Sequence, residues 1–444
     1  MPLYHPSVYD FASPVPSYWE DTAPPFEGDV PLKDGESCDV AIIGGGYTGL
    51  SAAYHLTRDA DMDVRVLEAG EIAWGASGRN GGFCGLHPSS MGYADHIRTY
   101  GLEEAKRYIT SQVEAIELVR DLITQNGIEA DLQGDGMFEV AHNARRFKDL
   151  KEEAELLSGT FDVPTRLLSA ETFAEEGYNS TEQFGALWIG AGFGLHPLKF
   201  ARGLGRLASE AGAHLHAHTR VIDWTKAGST HVLSTARGTL RAKKIIVATN
   251  GFTQEALHPA FAGRLLPIMS NIFTTRPLSE AELSAHQWQT ECPCSNTRNL
   301  LFYYRVLPDR RILFGARGDL TGHPDASQKM FRWLEKRFGE VFPEWQGIEI
   351  THFWRGLVCM ASNATPALGA LEDDPSVFYG MAYHGDGVAA APWAGRELAA
   401  LVMGTKSQKD LPRAVQGPPP HIPFPGLRRW YLRAALAYYR LKDL

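Results

Sequence analysis

The sequence predicts an α/β fold in which a Rossmann-like domain, discontinuous along the chain, is joined to a second domain built on an antiparallel sheet. The first observation is a strand, a glycine turn, a helix and a strand in succession over residues 38–68. The second is another strand, glycine turn and helix over residues 377–403, near the other end. The third is a hairpin pattern over 300–305 and 311–316, which a doubly wound sheet does not account for. A second domain of α+β type is therefore expected.

The first unit carries the glycine pattern of a dinucleotide-binding turn. Residues 39–43 are an apolar run that suits a buried strand, and Gly44, Gly46 and Gly49 follow in the spacing G-x-G-x-x-G. These glycines permit the tight turn, the approach of the backbone to a pyrophosphate, and close packing of the helix on the strand. The next strand ends at Glu68, whose carboxylate suits a ribose diol. The order of the elements predicts nucleotide binding, and an ordinary βαβ unit is the alternative.

A glycine-rich loop follows the second strand. Residues 74–83 read Trp-Gly-Ala-Ser-Gly-Arg-Asn-Gly-Gly-Phe, which fits neither a helix nor a central strand. Such a loop can turn backbone N–H groups towards an anion or a flat ring, with charge from Arg79 and hydrogen bonds from Asn80. The flanking aromatic side chains favour a buried, cofactor-facing loop over a mobile surface loop.

Two later segments are expected to reach the same nucleotide. Residues 240–251 form a strand that ends in small residues and brings Ala248 and Thr249 to the nucleotide. At 384–388 the chain reads His-Gly-Asp-Gly-Val and opens an alanine-rich helix, whose N-terminus can face negative charge.

Composition narrows the class of protein. The chain has 444 residues, enough for two to three domains, and a net charge of −9, which gives no reason to expect nucleic acid as a partner. Its five cysteines are scattered, which favours free thiols and a cytoplasmic location. No apolar run approaches the ~20 residues of a transmembrane helix. The histidines at 214, 216 and 218 are interpreted as strand positions, and no metal site is predicted.

The changes of pattern along the chain predict its domain organisation. A proline-rich arm is expected to be held by Tyr18 and Trp19, and a proline-rich linker leads to a basic, aromatic helix at the other end. That helix is expected to pack on this chain or on a second copy; a membrane-surface helix is the alternative. The predicted parts are the arm (1–37), the nucleotide-binding domain (38–90, 196–255 and 351–410), the second domain (91–195 and 256–350), and the linker with its helix (411–444).

Together these segments resemble the D-amino-acid oxidase-like superfamily of FAD-dependent amine oxidoreductases. The Tyr18-Trp19 arm, the 77–82 loop and the 311–315 strand look like its γ-glutamylputrescine oxidase branch, whose architecture glycine, sarcosine and iminodiacetate oxidases share. The resemblance implies that a hydride passes from the carbon bearing nitrogen to FAD, that the imine hydrolyses, and that O2 is reduced to H2O2. It also implies that the second domain covers the substrate.

The resemblance implies two sets of site residues. The glycine turn would bind the ADP half of FAD, while the 77–82 loop and the 384–388 turn would hold the isoalloxazine. The implied FAD contacts are Gly44, Gly46, Tyr47, Thr48, Gly49, Glu68, Ala69, Gly75, Ala76, Ser77, Arg79, Asn80, Gly81, Gly82, Val221, Ala248, Thr249, Gly356, His384, Gly385, Gly387 and Val388. The resemblance also implies a set of catalytic residues, which includes an aromatic wall and arginines that bind a substrate carboxylate. These residues are Tyr303, Tyr304, Arg305, Arg317, Trp354 and His384.

The chain departs from the related oxidases at several positions. Asp386 stands in a turn that often reads Gly-His-Gly, so its carboxylate is expected to point away from the flavin. Ala389 replaces a lysine that holds a substrate carboxylate in sarcosine oxidases, and Leu313 falls near their oxygen-activating lysine. Cys359 resembles their site of thioether attachment, although a buried free thiol with non-covalent FAD is the prediction.

Alternative functions remain open at this point. The expected substrate is a secondary amine or an N-substituted amino acid. The expected electron acceptor is O2 or another compound. The sequence is also compatible with a homo-oligomer. A dehydrogenase with a non-oxygen acceptor is the main alternative to an oxidase. A flavoprotein component that serves a partner through its basic tail, and a pyridine-nucleotide dehydrogenase, are further alternatives.

Overall fold

The computed structural model describes residues 3–86 and 90–443 of the chain. The helices are α1 (Tyr18–Thr22), α2 (Tyr47–Ala60), α3 (Tyr93–Tyr100), α4 (Leu102–Gln125), α5 (Ala144–Thr160), α6 (Ala170–Glu176), α7 (Pro197–Glu210), α8 (Glu280–Ala285), α9 (Pro324–Val341), α10 (Gly387–Met403) and α11 (Arg428–Lys442). The strands are β1 (Glu36–Ile43), β2 (Val64–Leu67), β3 (Phe83–Gly85), β4 (Met137–Val140), β5 (Thr165–Leu168), β6 (Ala186–Ile189), β7 (Gly192–Gly194), β8 (His214–His216), β9 (Val221–Ala227), β10 (Thr230–Thr235), β11 (Gly238–Val247), β12 (Leu266–Thr275), β13 (Cys294–Asn296), β14 (Phe302–Val306), β15 (Ile312–Arg317), β16 (Ile350–Met360), β17 (Ala367–Ala370) and β18 (Val377–Met381).

The first sheet has the mixed α/β architecture predicted for the nucleotide-binding part. Its order is β17-β18-β11-β1-β2-β8, and β1 pairs in parallel with both β2 and β11. Val40, Ala41 and Ile42 are fully buried because helices and loops cover both faces of this sheet, which is why β1 is continuously apolar. The parallel strands end at one edge, where the turns after β1 and β18 meet.

The second sheet is largely antiparallel and has the order β16-β12-β15-β14-β13-β4-β6-β5. The predicted hairpin is β14 and β15, which pair from Phe302–Ala316 to Val306–Ile312. Strand β16, which the sequence analysis assigned to no element, pairs along its length with β12. The domain boundary predicted at residue 351 therefore cuts off a strand of the second sheet. The cause is that β16 is amphipathic and precedes the nucleotide-binding segment directly in sequence.

The helical stretch predicted at 91–127 is two helices. Gly101 has a positive φ of 85°, a conformation that favours glycine, and it ends α3 before α4 begins. Helix α4 packs on α10, so this part of the inserted segment also covers the nucleotide-binding side.

Both ends of the described chain pack on the body of the protein. Trp19 is 1% exposed and its indole N–H donates to the Asn80 carbonyl at 2.8 Å. In the tail, Arg428 binds the Glu255 carboxylate and donates to the Leu265 carbonyl at 2.9 Å. Helix α11 is therefore docked on its own chain, although Trp430 stays 63% exposed. None of the helices in the described ranges has both the length and the apolarity needed to cross a bilayer.

Candidate active site

A cavity of about 700 Å³ lies between the two large sheets. One side is formed by the turns after β1 and β18, and the other side by side chains of β4, β12, β13, β14 and β15. Because both glycine turns open into it, the chain brings together segments that are more than three hundred positions apart in sequence.

The first glycine turn leaves no room for side chains. A Cβ atom at Gly46 would lie 2.8 Å from the Ser77 Oγ, and one at Gly44 would lie 2.7 Å from the Ala248 carbonyl oxygen. Gly49 does not line the cavity: its Cβ would meet the Gly44 carbonyl oxygen at 2.0 Å, so this glycine serves the packing of α2 on β1. Gly46 caps α2 without a side-chain hydrogen bond, so the positive end of the helix dipole faces the cavity.

Glu68 lies at the end of β2 and is only 8% exposed. Its carboxylate accepts the Gly45 amide at 2.7 Å and the Gly70 amide at 3.0 Å, which holds it beside the glycine turn. Burial raises the pKa of this carboxyl group, and the backbone amides act in the opposite direction.

The 74–83 loop lies against the cavity, and Arg79 is its charged member. The guanidinium stacks 3.8 Å above the Trp74 ring and donates to the Trp74 carbonyl at 2.7 Å and the Arg355 carbonyl at 3.3 Å. Its Nη2 is buried and has no hydrogen-bond partner among the described residues. Burial, aided by Arg355, lowers the pKa of Arg79 to about 9. The loop therefore carries a donor at the cavity wall that an anionic or carbonyl group would satisfy.

The late turn is tied to the first one. Tyr383 and Thr48 share a hydrogen bond of 2.7 Å between their hydroxyl groups. Helices α2 and α10 cross at Gly395, where a Cβ would lie 2.5 Å from the Thr48 carbonyl oxygen, and the Ser51 hydroxyl donates to the Pro392 carbonyl. These contacts, which sequence reasoning missed, hold the two helix N-termini at one cavity.

His384 is neutral and has a defined tautomer. Its Nε2 accepts the Ala361 amide at 3.2 Å, so Nδ1 carries the proton and donates to the Ser90 hydroxyl at 2.9 Å. Burial, with Arg317 nearby, lowers the pKa of His384 to about 4.

Tyr303 and Arg317 face the cavity from the second sheet. The Tyr303 hydroxyl is hydrogen-bonded to Ser270 at 2.8 Å, and its ring lies where a Cβ on Gly315 would approach to 2.2 Å. Arg317 donates to the His384 carbonyl at 3.3 Å and has no ion pair with any described residue. Burial lowers the pKa of Arg317. This side of the cavity thus offers an aromatic wall beside a cation without a counter-ion.

Most of the residues predicted for the site reach the cavity. Those that line it are Gly44, Gly46, Tyr47, Thr48, Glu68, Ala69, Gly75, Ala76, Ser77, Arg79, Asn80, Gly81, Val221, Ala248, Thr249, Tyr303, Arg317, Gly356, His384, Gly385, Gly387 and Val388.

Tyr304 does not reach it, and the placement predicted for this residue was wrong. Neighbouring residues of a strand point to opposite faces, and Tyr303 takes the cavity face of β14. Tyr304 is 2% exposed in the core behind the sheet, where its hydroxyl shares a 2.5 Å hydrogen bond with Tyr178.

Arg305, Trp354 and Gly82 also lie outside the cavity wall: the 77–82 loop covers Arg305 and Trp354, and Gly82 packs against Leu195 at the end of that loop. Arg305 is 1% exposed and donates to the Gly81 carbonyl at 3.1 Å and the Leu195 carbonyl at 2.5 Å. The Trp354 indole donates to the Arg79 carbonyl at 2.8 Å. A Cβ at Gly82 would lie 1.9 Å from the Leu195 carbonyl oxygen. Arg305 and Trp354 hold the loop in place from behind, and none of the three residues lines the cavity.

The departures noted in the sequence have mixed outcomes. Asp386 lines the cavity, is 4% exposed and has no partner for its Oδ1 among the described residues, and the expectation that its carboxylate points away from the flavin stays a prediction. Leu313 is fully buried in the core. Cys359 lines the cavity, and burial raises the pKa of its thiol to about 12, which disfavours the thiolate that a thioether link requires.

The cavity also has acidic walls that sequence reasoning missed. Glu139 on β4 and Glu153 on α5 line it beside Ser295 of β13. A lone glutamate in a short strand gives no sign of facing a cavity until its partner strands are known.

These features fit the dinucleotide flavin that the sequence suggests. The glycine turn has no room for side chains, so its backbone is open to a ligand. A helix N-terminus and the buried Glu68 carboxylate lie beside it. Arg79 has a donor without a partner among the described residues. Pyrophosphate, ribose and a flat ring are the groups these features suit.

Comparison with known proteins identifies the relatives of this chain. The profile of the family described as DAO, FAD dependent oxidoreductase, matches residues 39–401. The γ-glutamylputrescine oxidoreductase of Escherichia coli (strain K12) is 33% identical over 434 residues, covering 96% of this chain and 98% of that protein. Among solved structures, glycine oxidase from Geobacillus kaustophilus has a TM-score of 0.70 at 20% identity, covering 84% of this chain and 96% of that one. L-proline dehydrogenase from P. horikoshii has a TM-score of 0.69 at 19% identity, covering 85% and 95%.

Proposed function

Because the chain belongs to the DAO family of FAD-dependent oxidoreductases, which act on amine C–N bonds, we propose that its substrate is a secondary amine or an N-substituted amino acid and that its electron acceptor is O2. The observation that carries the proposal is the shared cavity, in which both glycine turns face Tyr303 and Arg317. The likeness to γ-glutamylputrescine oxidoreductase supports an amine as the group that is oxidised.

The cofactor is FAD, which accepts a hydride equivalent from the carbon that bears the nitrogen. In our proposal the α2 N-terminus and the Gly44–Gly46 backbone bind the pyrophosphate, and Glu68 binds the ribose. The 75–81 loop and the turn of His384 and Gly387 hold the ring system. The amides at the start of α10 would stabilise the negative charge that the ring gains on reduction.

The substrate amine must be neutral to lose a hydride. An apolar wall that includes Ile272 and the Tyr303 ring disfavours the ammonium form by desolvation. His384 is neutral, and its Nδ1 proton is engaged by Ser90, so it does not serve as the base. The amine therefore enters deprotonated or loses its proton to solvent.

Arg317 is proposed as the anchor of a substrate carboxylate. It has no ion pair among the described residues, and its guanidinium Nη2 would lie 3.1 Å from a Cβ on Gly385 of the late turn. A carboxylate there would offset the cost of burying this cation. This favours an N-substituted amino acid over a simple amine, and it would take over the role of the lysine that Ala389 replaces.

A dehydrogenase that uses another acceptor is the second candidate. Leu313, which falls near the oxygen-activating lysine of sarcosine oxidases, is fully buried, and this observation favours slow reaction with O2. A cationic group beside the flavin promotes reduction of O2 by stabilising the negative charge that develops on it. Arg317 and Arg79 are the cations lining the cavity that would replace such a lysine.

A flavin-reduction screen tests the proposal. The purified holoprotein is mixed without oxygen with γ-glutamylputrescine, putrescine, sarcosine or iminodiacetate, and bleaching of the flavin absorbance is recorded. Bleaching followed by stoichiometric H2O2 on admitting air supports an oxidase. Bleaching with slow reoxidation in air, and fast reoxidation by an artificial acceptor, supports the dehydrogenase. If no amine or amino acid bleaches the flavin, the proposed function is wrong.

A variant separates the role of Arg317 from general damage. Arg317→Met is expected to lower kcat/KM at least tenfold for substrates with a carboxylate near the reacting nitrogen. The same variant should change the rate for amines without a carboxylate much less. An equal loss for both classes would contradict the assignment of Arg317 as an anchor.

A further inference from the structure

One part of the cavity, lined by strand β4 and helix α5, is acidic and has no counter-ion among the described residues. Glu139 and Glu153 line it, and neither makes a hydrogen bond or an ion pair with any residue in the described ranges. The nearby arginines are already engaged: Arg146 pairs with Asp149 at 3.2 Å, and Arg298 pairs with Glu182 at 2.9 Å.

Burial perturbs both glutamates, and the charge of Glu139 acts on Glu153. Burial raises the pKa of Glu139 to about 7, against a lowering effect of Arg146. Burial and then the charge of Glu139 raise the pKa of Glu153 well above its usual value. Two carboxylates that line one cavity and interact in this way cannot both be charged at low cost unless a cation joins them.

A third carboxyl group gives an independent sign of a missing ligand. Asp386, on the late turn, is 4% exposed, lines the same cavity and leaves its Oδ1 without a partner in the described part of the chain. Tyr93 lines the same cavity; burial raises the pKa of its hydroxyl, and Glu153, Glu139 and Asp386 raise it further. A buried carboxyl oxygen without a donor is rare unless a ligand supplies one.

The sheet register gives the distance between this acidic end and the aromatic wall. Glu139 pairs with Ser295, and Ser295 pairs with Tyr303, so the three residues form one row across β4, β13 and β14. Strands are spaced ~4.8 Å apart, so Glu139 lies about 10 Å from Tyr303 along this row. All three residues line the cavity, and an extended chain of about nine bonds spans that distance.

We propose that Glu139 and Glu153 form a subsite for an ammonium group that the substrate carries about nine bonds from its reacting nitrogen. An ammonium has three donors and a compact charge, which two carboxylates and the Ser295 hydroxyl can satisfy. The substrate class is then a long amine with a second, distal cation, bound with the reacting end at Tyr303. This inference rests on the proposed function, because the reacting nitrogen must be the one beside the flavin.

Matched pairs of amines test the subsite. Flavin reduction without oxygen is measured for N-methyl diamines of three, four, six and eight carbons, each against the N-methyl monoamine of the same length. For the wild-type holoenzyme the second-order rate constant should favour the diamine at least tenfold at eight carbons, which separate the nitrogens by nine bonds, and less at six, four and three. A ratio near one at every length would overturn the proposal.

Variants locate the effect. Glu139→Gln and Glu153→Gln are expected to reduce the diamine preference at least fivefold each, with FAD content and Tm measured to show that the protein is folded. Glu155→Gln lies on the same helix but is exposed and outside the cavity, so it should keep the wild-type ratio. An unchanged ratio in both cavity variants would overturn the proposal.

Failure of the proposed function is distinguishable from failure of this inference. If no amine bleaches the flavin, the proposed amine oxidation is wrong. The affinities of the protein for the same diamine and monoamine are then compared by calorimetry. Tighter binding of the diamine that both glutamine variants abolish would still support the subsite. Equal affinities would overturn it.

Discussion

Gly46 is the residue at which a single added carbon should matter most to cofactor binding. A Cβ there would lie 2.8 Å from the Ser77 Oγ, which accepts the Tyr47 amide at 2.9 Å and so closes the turn. Gly46→Ala is therefore expected to weaken FAD binding at least tenfold, about 1.4 kcal/mol. The measurement is the Kd of the apoprotein from quenching of flavin fluorescence.

Gly159→Ala is the matched control for that substitution. Gly159 lies in α5 with nothing within 4 Å of its added Cβ, so alanine should leave FAD affinity unchanged. A helical alanine there should stabilise the protein by ~0.5–1 kcal/mol. Equal FAD affinity in both variants would contradict the role given to Gly46.

His384 predicts a loss of stability in acid. Its pKa is lowered by burial from 6.5 to about 4, so between these values the unfolded chain binds a proton that the folded chain does not. Stability is therefore lost as the pH falls from 6.5 towards 4, by at most about 3 kcal/mol from this group. His384→Gln should show a shallower pH dependence in urea unfolding at pH 7, 5.5 and 4.5.

The exposed His421 provides the comparison for that experiment. His421→Gln should keep the wild-type slope, because it removes an exposed histidine and leaves the buried His384 in place. If His384→Gln has the same slope as the wild type, the buried neutral state of His384 is wrong.

Among the secondary-structure elements, the crossing of α2 and α10 decides whether there is one cofactor site. Both helices begin at a glycine turn, and close approach at Gly395 keeps their first turns at the same cavity. Each helix alone offers an ordinary N-terminus. Only their packing makes them face opposite parts of one ligand.

The C-terminal helix α11 ends beside a loop that lines the cavity. The Asp443 carboxylate accepts the backbone amides of Asn299 at 2.8 Å and Leu300 at 2.9 Å, while Arg298 and Leu301 of the same loop line the cavity. Asp443→Ala removes these acceptors, so the loop should loosen. We expect KM for the amine to rise severalfold with FAD content unchanged.

Lys442→Ala is the control for the tail, because the one contact its ammonium makes within residues 3–86 and 90–443 is with the Tyr438 ring. It should leave KM unchanged in the same steady-state assay. A rise in KM with Lys442→Ala, or none with Asp443→Ala, would contradict the proposed link between α11 and the loop.

For the molecule as a whole, the cavity proposed for FAD lies between the two large sheets, so FAD binding there should stabilise both. At a free FAD concentration one hundred times its Kd, the gain is about 2.7 kcal/mol, measurable as a rise in Tm. Riboflavin, which lacks the ADP half, should give a much smaller rise. A similar rise with both would contradict the placement of the ADP half at the glycine turn.

Release of the cofactor on denaturation is the companion test. Because burial keeps the Cys359 thiol protonated, acid precipitation should leave all flavin in the supernatant, for the wild type and for Cys359→Ser alike. Colour retained by the wild-type pellet and lost in the variant would establish a thioether link.

The local sequence was sufficient for the nucleotide-binding half of the site. Gly44, Gly46 and Glu68 act through the turn and strand in which they stand, so their spacing along the chain already specifies their geometry. The family and the cofactor followed from such local patterns, together with the late turn at Gly387. Short-range steric rules determine these features, and they do not depend on which strands pair.

The substrate half depended on the tertiary structure. Strand register, set by long-range pairing, turned Tyr303 to the cavity and Tyr304 to the core, and it placed Glu139 in line with Tyr303. Arg305 lies on the same face of β14 as Tyr303, but the 77–82 loop, more than two hundred positions earlier in the sequence, covers it. Which side chains a cavity exposes is decided by what packs over them, and the residues of one strand do not carry that information.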